Sequence, residues 1–132
     1  MVKIIVKTSE KRQVIDITDL INQELEKQNF KNGICNLFLT HTTVALTTAD
    51  LDPGTDQDYL DAFKDLIPKL NYQHPHNPAH TPDHILSSII GTSLSIPVEN
   101  GKLILGTWQR VILIEFNGPR EREVVINLLQ SS

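Results

Sequence analysis

A single cysteine, Cys35, stands in the sequence. It excludes an internal disulfide, and one thiolate cannot build a structural zinc cluster. Cys35 alternates with Leu37 and Leu39 along a strand-like run, which reads it as a core residue. Long apolar runs are lacking as well: none approaches the roughly 20 residues that a membrane-spanning helix requires. Residues 1–12 hold too short an apolar stretch for a secretory signal and pass at once into charge, so they read as a first strand. Clustered basic residues are also missing. Lys and Arg number 12 against 16 Asp and Glu, for a net charge of −4. Binding to a phosphate backbone needs grouped cations, which argues against nucleic acid as a partner. The lone thiol fits a reducing, cytoplasmic setting. A small molecule, a metal ion or another protein remains as partner.

What is present is globular in composition, with 39% hydrophobic and 21% charged residues over 132 positions. A chain of this length buries enough surface to need no staples. No repeat or low-complexity linker divides it, so residues 1–132 are expected to form one domain. Residues 2–7 and 13–17 are β-branched runs around a polar turn. Residues 18–31 turn helical, with Ile21 and Leu25 on one face and Gly33 as the stop. Strands are expected over 34–40 and 44–48. A second helix starts at Thr55 as N-cap and closes at Pro68, with Leu60, Phe63 and Ile67 on its buried stripe. A loop over 71–82 leads to a short helix capped by Thr81 and ending before Gly91. Asn100-Gly101 between two apolar runs is a hairpin signal, because such a turn needs positive φ twice. Strands over 111–116 and 123–129 complete an α+β fold, an antiparallel sandwich-like core with about three helices.

Five histidines, His41, His74, His76, His80 and His84, are the first candidates for chemistry. Three neutral imidazoles with one open position make a catalytic type of zinc site. The spacing alone does not choose among them. His80 and His84 are four apart, but Pro82 starts the helix and leaves His80 outside. Pro75 separates His74 from His76. A polar loop with solvated histidines explains the same pattern equally well. Asp50, Asp52 and Asp56 fail the calcium-loop pattern at Gly54 and Thr55, and helix capping accounts for most of them. One magnesium, held by a carboxylate and a substrate phosphate, is also compatible with them. Glu115 shares a strand face with Val111 and Leu113. A carboxylate there must be paired, bound to a metal or protonated, unless that face lies in water. Arg120 follows the Gly118-Pro119 turn, where a guanidinium can clamp a phosphate or simply be solvated.

The segments His41-Thr42-Thr43-Val44-Ala45-Leu46, Asp52-Pro53, Tyr72-Gln73-His74 and Pro82-Asp83-His84 together resemble the YjbQ-like family, often called secondary thiamine-phosphate synthases. Ser95-Ile96-Pro97-Val98-Glu99-Asn100-Gly101, Leu105-Gly106-Thr107-Trp108-Gln109 and Gly118-Pro119-Arg120 extend the resemblance over almost the whole chain. It implies a β-sandwich core, a cytoplasmic homotrimer and a metal site made by His41, His74 and His84, with His76 as a rival to His74. Glu115 falls where the family tends to carry a glutamate. The family commonly has Asn-Glu where this chain has Ala49-Asp50, so Asp50 would take any role of that acid. The implied activity joins a pyrimidine diphosphate to a thiazole phosphate and releases pyrophosphate. Glu115 or Asp50 would serve as base and Arg120, with Arg110 as a further donor, would stabilise the leaving anion. Zinc suits the histidines, whereas magnesium suits a phosphorylated substrate. The alternative is a non-catalytic trimer that holds a metal or small ligand.

Overall fold

Alternating apolar residues build two antiparallel sheets in a computed structural model that describes residues 1–131. Strand β1 (Val2–Lys7) is followed by β2 (Gln13–Asp16), helix α1 (Thr18–Lys27), β3 (Gly33–Leu39) and β4 (Val44–Ala49). Helices α2 (Thr55–Leu66) and α3 (Thr81–Ile90) come next, then β5 (Ser93–Glu99), β6 (Lys102–Leu103), β7 (Arg110–Glu115) and β8 (Glu121–Gln130). The larger sheet has the order β1-β8-β3-β5-β6 and the smaller the order β2-β7-β4. This is the expected α+β sandwich-like arrangement.

Cys35, Leu37 and Leu39 of β3 meet Val44, Leu46, Val111 and Leu113 of the smaller sheet, closed at one end by Ile21 and Leu25 of α1. The other face of the smaller sheet carries Ala45, Ile112 and Ile114, which pack with Phe116, Ile67 and Leu86 under α2 and α3. Strand β7 is thus buried on both faces, so its sequence reads as an unbroken apolar run and not as an alternation. Each fully buried Leu or Ile contributes about 1.5–3 kcal/mol.

Several local expectations differ from the structure, among them the second helix, which ends at Leu66 and leaves Ile67 extended beyond it. Helix α1 ends at Lys27, four residues early, because Asn29 takes a left-handed conformation at φ 53°. Gly33 is the first residue of β3 and not a helix stop. A Cβ there would lie 2.0 Å from the Leu129 carbonyl oxygen, so glycine permits the close approach of β8. Thr55 and Thr81 are first residues of their helices and give no side-chain cap; Gly54 at φ 89° and His80 precede them. His80 ends a single 3₁₀ turn capped by Asn77, whose Oδ1 accepts from the Ala79 N–H at 3.1 Å. The hairpin expectation holds, with Asn100 at φ 51° and Gly101 at φ 80°.

Candidate functional site

The chain crosses from one sheet to the other between Leu39 and Val44, and His41 sits on that crossing. Its Nε2 accepts the Glu123 backbone N–H at 2.8 Å. With that lone pair engaged, the neutral ring carries its proton on Nδ1. Burial, reinforced by the Arg122 charge, lowers the His41 pKa and keeps the ring neutral, against the weaker pull of Glu123 and Glu115.

His84 lies in the first turn of α3, which is tied down on both sides of it. Ser87 Oγ donates to the Val44 carbonyl at 2.7 Å, and buried Asp83 accepts from Arg12 Nη2 at 2.7 Å. His74 arrives from the proline-rich loop and stacks on His84, ring centroids 4.9 Å apart and planes at 22°. Its Nδ1 accepts the Asn77 N–H at 3.3 Å. His41, His74 and His84 line one cavity of about 760 Å³ together with Asn117, Arg120 and Arg122. A smaller recess of about 330 Å³ shares His41 and His84 and is lined by the hydroxyl-bearing Ser87, Ser88 and Thr92. His76 stacks edge-on against His74 at 6.4 Å and does not line the cavity; neither does His80, which faces Asn77.

Beneath this cavity lies a buried ion pair. Glu115 is fully buried and accepts from Arg122 through both carboxylate oxygens. It also accepts from the Thr8 hydroxyl at 2.7 Å and from the Asn117 N–H at 3.2 Å. Burial opposes its ionisation, yet the Arg122 guanidinium and the Thr8 hydroxyl outweigh that and hold its pKa below the usual carboxylate value. Glu115 therefore positions Arg122 and does not line the cavity. Arg120 does line it. Its Nε donates to the Asn117 carbonyl at 2.8 Å, and its backbone N–H donates to Thr8 Oγ1 at 2.9 Å.

Asp50 stands elsewhere. Strand β4 pairs Val44 with Glu115 and Ala49 with Arg110, so the Asp50 end lies more than about 15 Å along the sheet from His41. It shares a recess with Asp16, Asp52, Trp108 and Arg110. Arg110 is engaged there by Asp16 at 2.6 Å and Asp19 at 3.3 Å. Among the described residues, no three His, Cys, Asp or Glu side chains stand close enough together to hold a metal ion.

Gly118 fixes the turn that carries Arg120. A Cβ at this position would lie 2.2 Å from the Glu10 carbonyl oxygen and 2.9 Å from both Glu115 Cγ and Thr8 Oγ1. Gly118→Ala is expected to cost about 1–3 kcal/mol, measured by urea unfolding, because the obstacle is backbone as well as the buried pair. An unchanged midpoint would mean that the turn relaxes without disturbing Glu115.

Comparison with known proteins places this geometry in context. The family model described as UPF0047 protein YjbQ-like matches residues 2–131. A UPF0047 protein of Archaeoglobus fulgidus is 36% identical over 124 residues, covering 93% of this chain and 96% of its own. The UPF0047 protein YugU of Bacillus subtilis is 34% identical over 125 residues, covering 94% and 95%. A solved YbjQ-like protein of Sulfolobus solfataricus superposes with a TM-score of 0.89 at 34% identity, covering 98% of this chain and 95% of that one. The chain belongs to the YjbQ-like UPF0047 family.

Proposed function

We propose that this protein is a metal-dependent enzyme acting on a small phosphorylated or heterocyclic molecule, with His41, His74 and His84 as ligands of a zinc-like divalent ion. One observation carries the reading: three imidazoles from three separate chain segments line one cavity with Arg120. The donor chemistry fits, since neutral imidazole is a preferred zinc ligand. His84 makes no ring hydrogen bond among the described residues, and His74 keeps Nε2 uncommitted. His41 must release the Glu123 N–H or move its proton. Losing one such hydrogen bond costs about 1 kcal/mol. Protein zinc sites supply on the order of 10 kcal/mol, which would cover that loss and the closing of the three rings onto an ion they do not yet surround.

When bound, the ion would polarise a phosphoryl oxygen or acidify a water. Arg120 would hold the anionic group, and Ser87, Ser88 and Thr92 in the adjoining recess would hydrogen-bond a heterocycle. Thiamine-phosphate synthesis is the candidate reaction, in a cytoplasmic homotrimer, with magnesium entering on the phosphorylated substrate. Glu115 is committed to Arg122 and Asp50 lies at the far end of β4, so neither supplies the base from within this chain.

Zinc titration of the native chain beside His41→Ala, His74→Ala and His84→Ala provides the test. About one ion per chain is expected, with affinity falling at least roughly tenfold in each variant. Release of pyrophosphate from a pyrimidine diphosphate and a thiazole phosphate is expected only from the native chain. Stoichiometric zinc without turnover would favour a non-catalytic binding protein. No zinc binding by the native chain would remove the metal.

A further inference from the structure

Arg122 is the most tightly held cation in the protein, with its side chain 3% exposed. Two of its three guanidinium nitrogens are fully used. Nε donates to Glu115 Oε1 at 2.8 Å, and Nη2 donates to Glu115 Oε2, to Thr43 Oγ1 at 2.8 Å and to the Thr43 carbonyl at 3.2 Å. Nη1 has no partner among the described residues. The wholly buried polar side-chain atoms that lack partners are Arg12 Nη1 and Thr81 Oγ1, so Arg122 Nη1 still reaches open space. The open space that Arg122 lines is the histidine cavity.

We propose that Arg122 Nη1 is a fixed donor for an oxyanion, a phosphate or carboxylate group of the ligand. The inference rests on reading this cavity as the ligand site, but not on the metal. Arg120 lines the same space, and so does His41, whose Nδ1 carries the proton that Nε2 does not. Glu121 also lines it and opposes an anion; its carboxylate faces Lys7 at 3.8 Å in solvent. Glu123, beside His41, faces Lys3 at 3.7 Å. Glu115 cancels most of the long-range field of Arg122. Attraction from a distance therefore belongs to Arg120, while Arg122 adds a short, charge-assisted hydrogen bond of set direction.

The choice of arginine follows from this division of labour. A buried ion pair is replaceable by apolar residues at little cost, so stability does not require it. Lysine would supply the charge for Glu115. Only arginine holds a carboxylate with two nitrogens and offers a third.

The experiment is calorimetric titration of the full, metal-free chain with inorganic phosphate and, separately, acetate. The variants are Arg122→Lys, which keeps the charge, and a double Arg122→Met, Glu115→Met chain, which keeps a packed interior. Phosphate affinity is expected to fall at least about tenfold in both, with circular dichroism unchanged in at least one. Tighter phosphate than acetate would assign a phosphoryl group, and the reverse a carboxylate. Native affinity in either folded variant, or no binding of either anion by the native chain, would overturn the proposal. Zinc titration of Arg122→Lys separates the two readings. Lost phosphate with zinc retained supports the Arg122 role alone. Phosphate held through Arg122 in a chain that takes no zinc would remove the metal and leave this donor in place.

Discussion

A Glu115→Gln variant is expected to unfold at markedly lower urea concentration, losing about 3–5 kcal/mol. The native pair is buried, Glu115 at 0% exposed and Arg122 at 2%, with only Arg122 Nη1 open to the histidine cavity. Removing the carboxylate charge leaves a largely buried guanidinium whose inward nitrogens meet only the Thr43 oxygens and a neutral amide. Against a total of about 5–15 kcal/mol for a domain, this is a large fraction. The double change to methionine should recover most of it, because the desolvation cost of both charges disappears together. The pH dependence follows from the same pair. The Glu115 pKa lies below its ordinary value in the folded chain, so its stabilisation is present above that value and is lost as pH falls through the folded pKa. His41 acts earlier on the acid side. Its pKa is also depressed, so the unfolded chain binds its proton first and stability begins to fall as pH drops through the ordinary histidine value of 6.5. Acid titration of the native chain should thus show both losses, and Glu115→Gln should lack the Glu115 one while keeping that of His41. A loss under about 1 kcal/mol in Glu115→Gln would mean that water enters and solvates Arg122.

The same pair marks how far the sequence could be read. Glu115 announces itself as a charge in the register of Val111 and Leu113, and the requirement for a partner follows from burial. Arg122 carries the same signal, inward with Val124 and Ile126. It escapes notice because the last strand is expected to begin at residue 123, whereas pairing with β1 extends β8 back to Glu121. An error of two residues at one boundary hides the partner. Tertiary pairing, invisible to local pattern, sets that boundary. The three cavity histidines depend still more on context. Periodicity does not separate His74 from His76 across a proline, and the choice comes from the family resemblance. His74 stacks on His84, whose helix is anchored through Asp83 and Ser87, contacts that come from distant segments of the chain. Asp50 illustrates the opposite case: it is near His41 in sequence, but an intervening strand carries it to the other end of the sheet. The alternating strands and the Asn100-Gly101 hairpin were legible because each is decided within a few residues.

Phe116→Ala should be as costly to stability as Glu115→Gln, but in a different place. Its ring is fully buried, edge-on to Phe63 at 6.2 Å, with the Arg12 guanidinium 6.0 Å from its centroid. Truncating a buried Phe costs about 3–5 kcal/mol. Here the space opened lies beneath α2 and α3, not between the sheets. Arg12 would lose its packing surface while still paired to Asp83, the residue that holds the first turn of α3. Amide exchange therefore separates this loss from that of Glu115. In Phe116→Ala, protection in α3 is expected to fall more than in β1 and β8, whose contacts lie in the other core. Zinc affinity should then weaken through His84, while phosphate affinity is kept because Arg122 stays in place. In Glu115→Gln the order reverses, with phosphate affinity falling and α3 protection following only the global loss. Equal loss of protection in α3 and β8 in the Phe116→Ala chain would show that the two cores open as one unit. The histidine cavity, built between them, would then share the stability of the whole domain and have no local opening of its own.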